Sequence, residues 1–202
     1  MIYLIYQDAM SAFPLSGPIA IIRAHKPLAD PLGLIKLLSD NGLKLTEITL
    51  NTPGALAAIA AAQAAAQPVG AGTVRSRDDA LRARDAGASF LVTTGLVVGA
   101  SDAGLPLLMG AYTASEAMRA LELGATAVKL FPANLLTPAY AKALLAPMPE
   151  LRLIPTGGIA ARDFAAWKSA GCVGVGIGSE LRADESAGLA ERARACAQAW
   201  AG

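Results

Sequence analysis

The feature that most constrains this chain is an alternation. Short runs rich in β-branched residues are followed, again and again, by Ala/Leu stretches with helical spacing. Ile19–Arg23, Thr46–Asn51, Val69–Val74, Phe90–Thr94, Pro106–Ala111, Ala127–Pro132, Leu151–Thr156 and Val173–Ile177 read as strands. Asp30–Ser39, Pro53–Ala66, Ser76–Ala86, Ala114–Leu123, Pro138–Leu145, Ala161–Ala170 and Glu185–Trp200 read as helices, with a short helical piece around Val97–Ala103. Alternation this strict implies a parallel sheet, because each parallel pair needs a crossover connection. Eight such units in 202 residues fit a (β/α)8 TIM barrel near the short end of its size range. A doubly wound open sheet is the competing layout.

Local signals agree with the alternation. Ser76 and Thr113 stand where helix N-caps are needed, and Asp79 occupies the capping-box position after Ser76. Pro53 falls in the first turn of its helix, where a missing N–H costs nothing. Asn41-Gly42, Ala86-Gly87, Leu123-Gly124 and Ala170-Gly171 each place Gly just past a helix end. No linker or low-complexity boundary divides the chain, so residues 1–202 read as a single domain with 1–17 as an N-terminal extension. That opening segment lacks a basic n-region and a small-residue cleavage site, so it does not read as a signal peptide.

Charge and cysteine usage exclude some functions. Lys+Arg of 17 against Asp+Glu of 16 lacks the basic excess of a general nucleic-acid binder. No apolar run approaches the roughly 18 residues of a spanning helix, so no membrane association is expected. Cys172 and Cys196 show no metal-ligand spacing and read as free thiols of a cytoplasmic protein. The sole histidine, His25, leaves no cluster for a metal.

In a parallel barrel, chemistry belongs at the C-terminal ends of the strands. In Thr46–Asn51, Ile48 and Leu50 take the helix-facing side, so Glu47, Thr49 and Asn51 are expected inside. In Ala127–Pro132, Val128 and Leu130 face out, so Lys129 and Phe131 are expected inside. A lysine among apolar strands is pushed toward its neutral amine, a nucleophile that condenses with a ketone and needs no metal or cofactor. The bland alternative is a structural Lys129–Glu47 ion pair. Thr156-Gly157-Gly158 and Gly176-Ile177-Gly178-Ser179 follow the last two strands, where barrels hold phosphate groups on backbone N–H donors. Arg23 can grip an anion as a fork, or be a rim salt bridge. Gly70-Ala71-Gly72-Thr73 leaves room for a substrate, with Thr73 a possible carboxylate donor or ordinary strand packing.

Taken in order, Glu47-Ile48-Thr49-Leu50-Asn51, Gly70-Ala71-Gly72-Thr73-Val74, Val128-Lys129-Leu130-Phe131-Pro132-Ala133, Thr156-Gly157-Gly158-Ile159 and Gly176-Ile177-Gly178-Ser179 resemble the KDPG/KDPGal aldolase family. The resemblance runs from about Pro18 to the last helix. It implies a class I aldolase that cleaves a phosphorylated 2-keto-3-deoxy sugar acid into pyruvate and D-glyceraldehyde 3-phosphate. It implies Lys129 as the Schiff-base lysine and Glu47 as general acid/base. It also implies Thr73 and Arg23 at the carboxylate end, Phe131 against the pyruvyl group, and Gly157, Gly158 and Ser179 at the phosphate. Thr156 and Gly178 belong to the same two blocks. A cytoplasmic homotrimer is implied as well. Asn51 stands where gluconate-type members usually carry Arg and galactonate-type members Asn, which favours the galactonate type, with the gluconate isomer as alternative. Thr94, Met109 and Ala24-His25-Lys26 depart from the usual pattern, and are expected at the pocket mouth. A phosphate-binding barrel of the thiamine-phosphate-synthase kind, or a non-catalytic barrel, would not be expected to keep both Lys129 and Glu47.

Overall fold

Eight parallel strands pair side by side in the order β7-β6-β5-β4-β3-β2-β1-β8 in a computed structural model describing residues 15–181 and 187–202. The strands are β1 (Gly17–Ile22), β2 (Leu45–Thr49), β3 (Gly70–Val74), β4 (Leu91–Thr93), β5 (Leu107–Ala111), β6 (Ala127–Leu130), β7 (Leu153–Pro155) and β8 (Gly174–Ile177). The helices are α1 (Pro31–Asp40), α2 (Ala55–Ala64), α3 (Arg77–Asp85), α4 (Ala114–Glu122), α5 (Pro138–Leu145), α6 (Phe164–Ser169) and α7 (Leu189–Ala201). Between β4 and β5 the crossover shrinks to a 3-10 turn, Ala100–Ala103, inside the stretch expected to be helical. The ring is nearly closed: β7 and β8 meet through a parallel bridge between Thr156 and Gly176 and a 3.0 Å bond from the Val173 N–H to the Leu153 carbonyl. This is the expected TIM barrel, not an open sheet. Residues 1–14, and the expected start of the last helix at Glu185, lie outside the described residues. No helix among the described residues is long and apolar enough to cross a membrane.

Capping chemistry sets the helix starts. The Thr113 hydroxyl accepts the Glu116 N–H at 3.3 Å while the Glu116 carboxylate accepts the Thr113 N–H at 2.8 Å, a complete capping box for α4. At α3, the Ser76 hydroxyl accepts the Asp79 N–H at 3.0 Å, but the Asp79 carboxylate reaches the Arg75 N–H at 3.1 Å, one residue before the cap. Pro53 corrects an expectation: α2 starts at Ala55 behind a left-handed Gly54, so Pro53 sits in the preceding turn. Gly42, Gly87, Gly124 and Gly171 each follow a helix with φ between 90° and 98°, the left-handed termination that the sequence signals.

The residues sort into two apolar bodies, as the period of 2 along each strand requires. Outward side chains such as Ile48, Ala71, Met109, Val128, Leu130, Val175 and Ile177 pack against the helices. Met109 thereby corrects a second expectation. It is fully buried between sheet and helices and does not border the mouth. Inward side chains Ile19, Phe90, Val92, Leu108, Ala127 and Ile154, with Leu15, form a separate plug inside the ring.

Candidate active site

The interior changes character one inward step above this plug. Moving two residues along a strand, roughly 6.6 Å, converts Leu45 to Glu47, Ala127 to Lys129 and Ile154 to Thr156. Glu47 is 1% exposed, Lys129 6% and Thr156 3%. Space for them comes from glycine: a Cβ on Gly72 would stand 2.7 Å from the Glu47 carboxyl carbon, and one on Gly176 would collide with the Thr156 hydroxyl. The strand register sets Glu47 beside Ile21 on β1, and Lys129 between Gly110 on β5 and Ile154 on β7.

This layer is electrostatically primed. Burial pushes the Glu47 carboxyl up to about 7, against the opposing pull of the positive charges of Lys129 and Arg23. Burial also pushes the Lys129 ammonium down; Glu47 resists that shift and Arg23 reinforces it. Glu47 Oε2 has no hydrogen-bond partner among the described residues. The Lys129 nitrogen lies 5.0 Å from the centre of the Phe131 ring, over its face. A buried amine beside a buried carboxyl, each shifted toward its neutral form, can carry out nucleophilic addition with proton transfer.

Above Lys129 opens a cavity of about 420 Å³. It brings together Arg23, Lys129, Phe131, Thr156, Gly157, Gly158, Gly178 and Ser179, all expected from sequence. Gly157 and Gly158 have φ of 95° and 69°. These left-handed values fold the loop after β7 back on itself, where side chains larger than glycine are disfavoured. Ala24 and His25, expected at the pocket mouth, line the cavity as well; Ile21 and Leu181 also line it, and sequence reasoning missed them. The loop is anchored: the Ala24 N–H donates to the Thr52 hydroxyl at 3.1 Å, which bonds the buried Thr49 hydroxyl at 3.0 Å.

Glu47, Asn51 and Thr73 do not line this cavity: Glu47 is buried beside it, and Asn51 and Thr73 line a smaller one of about 130 Å³ with Leu50, Leu56, Arg75, Asp79 and Arg82. The inward alternation expected to carry Asn51 ends at Thr49, because the chain turns there with the Thr52 N–H on the Thr49 carbonyl at 2.8 Å. Thr73 is turned by a break in the β3–β4 register between Ala71 and Val74, and holds φ of 56°, unusual for a β-branched residue. Among the described residues no three His, Cys, Asp or Glu side chains come together as a metal site.

Comparison with known proteins agrees with this geometry. The family described as "Aldolase: KDPG and KHG aldolase" matches residues 15–193. The 2-dehydro-3-deoxy-6-phosphogalactonate aldolase of Escherichia coli K12 is 35% identical over 177 residues, 83% of this chain and 86% of that protein. The 2-dehydro-3-deoxy-phosphogluconate aldolase of Pseudomonas aeruginosa is 40% identical over 156 residues, 72% of this chain and 71% of that protein. A solved "Native KDPGal structure" superposes with a TM-score of 0.87 at 33% identity, covering 94% of this chain and 96% of that one. The KDPG aldolase of Legionella pneumophila, solved with pyruvate captured as a covalent carbinolamine intermediate, superposes with a TM-score of 0.76 at 28% identity, covering 92% and 94%. The chain belongs to the KDPG and KHG aldolase family. It is an enzyme, a carbon–carbon lyase of the class I aldolase type.

Proposed function

We propose that the chain cleaves 2-dehydro-3-deoxy-6-phosphogalactonate to pyruvate and D-glyceraldehyde 3-phosphate through an imine on Lys129. The observation that carries this reading is Lys129 lining a cavity rimmed by the glycine loops after β7 and β8, with the buried Glu47 in the same layer of the barrel.

The neutral Lys129 amine adds to the C2 carbonyl of the keto acid, and loss of water, assisted by the proton of the Glu47 carboxyl, leaves the protonated imine and the Glu47 carboxylate. Glu47 takes the proton of the C4 hydroxyl, directly or through a water, as the C3–C4 electron pair moves into the imine. The aldehyde leaves and an enamine of pyruvate stays on Lys129. Protonation at C3 and addition of water free pyruvate and return the amine. A carboxyl raised to about 7 suits both directions of that proton traffic near neutral pH.

Phe131 packs against the pyruvyl group, and Thr156 sits over it from β7. Gly157, Gly158, Gly178 and Ser179 receive the phosphate on backbone and hydroxyl donors. Arg23 joins them: Ala20 pairs with Ile177, so the end of β1 runs alongside the loop carrying Ser179. This moves Arg23 from the expected carboxylate end to the phosphate end. Thr73 and Asn51 line the smaller cavity, and no contact with the pyruvyl carboxylate is assigned to them. The strained backbone of Thr73 is the kind of feature that gathers at working sites.

Asn51 and the Escherichia coli relative favour the galactonate epimer; the Pseudomonas aeruginosa relative favours the gluconate epimer. Measuring kcat/KM on both C4 epimers decides between them, and a tenfold preference for the gluconate form would overturn the substrate named above. The mechanism is tested by intact mass after incubation with pyruvate and borohydride. One pyruvyl adduct on Lys129, absent in Lys129→Ala, is expected; no adduct on the folded wild type would remove the imine. A cytoplasmic homotrimer is part of the proposal, with the assembly checked by sedimentation velocity.

A further inference from the structure

The two glycine loops at the proposed phosphate end come from different strands, and a group of anion donors works only if its members keep a fixed spacing. The strands themselves hold them loosely, since at the top of the ring β7 and β8 meet only in an isolated bridge at Thr156 and Gly176, the Val173–Leu153 bond lying at their lower end. What fixes the loops above that bridge is a side chain outside the cavity.

Glu180 directly follows Ser179 and is half-buried. Its Oε1 accepts the Ala161 N–H at 3.1 Å, across 19 residues of sequence, and Ala161 follows the Gly157–Ala160 loop of β7. Its Oε2 accepts the thiol of the fully buried Cys196 on α7 at 3.2 Å. Burial, with the neighbouring Glu180 carboxylate, pushes that thiol up to about 12, so it remains an S–H donor at neutral pH. The Glu180 carbonyl is held in turn by Arg192 Nε at 2.9 Å. One residue therefore ties the β8 loop to the β7 loop and both to the closing helix. The link to Ala161 is charge-assisted and stronger than a neutral bond.

We infer that Glu180 is a positioning residue for the anion end of the cavity: it sets the spacing of the Gly157–Gly158 and Gly178–Ser179 loops and thereby the affinity for the phosphorylated end of the substrate. This rests on the phosphate assignment above. It predicts a selective defect. Tightening at the phosphate end should be lost while chemistry at Lys129, on the floor below, is spared.

Two variants break the link from opposite sides. Glu180→Ala removes the acceptor. Ala161→Pro removes the donor at the first position of a 3-10 helix, where proline is tolerated and where Ala160 already has the extended backbone (φ −101°, ψ 158°) that a following proline requires. Glu180→Gln keeps an acceptor for Ala161 and serves as the conservative control. For both breaking variants, KM for the phosphorylated substrate should rise about tenfold and competitive inhibition by inorganic phosphate should weaken in parallel. kcat should stay within about twofold, and the rate of pyruvate trapping on Lys129 by borohydride should not change. Glu180→Gln should lie close to wild type. Unchanged phosphate inhibition in either folded variant overturns the inference, as does a fall in pyruvate trapping that matches the rise in KM. If inorganic phosphate fails to compete in the wild type, the phosphate assignment itself falls, and the inference with it.

Discussion

The inside of this barrel holds two layers built on the same strands and obeying opposite rules. The lower layer, Ile19, Phe90, Val92, Leu108, Ala127 and Ile154, is apolar and closely packed. The upper layer, two residues further along, holds Glu47, Lys129 and Thr156 beside glycines. The lower layer contributes stability by removing apolar area from water. The upper layer does the reverse: it keeps an amine and a carboxyl buried, which costs stability at neutral pH. Strand geometry carries both, because inward positions recur every second residue and only the side chain decides what a position does.

This contrast can be broken from either side. The largest effect is expected from Lys129→Ala, which should lower cleavage roughly 10⁴-fold or more while leaving the melting temperature unchanged or higher. Steady-state assay together with thermal unfolding checks both halves. Glu47→Gln should reduce cleavage about 10²- to 10⁴-fold. Its stability effect has a definite sign. Folded Glu47 holds its proton up to about 7 against 4.5 for a free glutamate, so its contribution is full below 4.5 and fades as pH rises toward 7. Gln cannot ionise, so the variant should gain on wild type across that window, by at most ~3 kcal/mol. Urea denaturation at pH 4.5 and pH 8 measures the difference, and the wild-type kcat/KM profile should rise with pH near 7 on its acid limb.

Leu108→Ala, in the lower layer, should show the opposite pattern. A loss of about 2–5 kcal/mol in unfolding free energy is expected, with kcat close to wild type at low temperature. Equal damage to kcat would show that the two layers are coupled and not merely stacked. The smallest effect is assigned to His25→Ala at the cavity mouth, which should raise KM for the phosphorylated substrate about three- to tenfold and leave pyruvate trapping unchanged. No change in KM would place His25 outside the substrate's reach.

The sequence announces the lower half of this picture well. Alternation, caps and terminal glycines give strand count and order because they depend on neighbours in the chain. Lys129 and Glu47 are legible for the same reason: a charged residue at an inward strand position stands out against its apolar flanks. Asn51 and Thr73 mislead because they lie where the strand period stops applying, one past a turn and the other at a register break. Met109 misleads because the residue type usual at a position does not tell which face it occupies. Ile21, Leu181 and Glu180 are silent in the sequence for a third reason. Their surroundings are assembled from distant loops, and no local pattern encodes a contact between Glu180 and Ala161 across a seam between strands.

That seam has a mechanical meaning. A ring of eight staves is only as stiff as its weakest joint, and here the joint between the last two strands coincides with the place where the ligand's anion would sit. An anion gripped from both sides of the joint acts as an external rivet. Occupancy would then be felt as slower amide exchange all along β7 and β8, far from any atom the ligand touches, and the empty enzyme would breathe through this gap before any other.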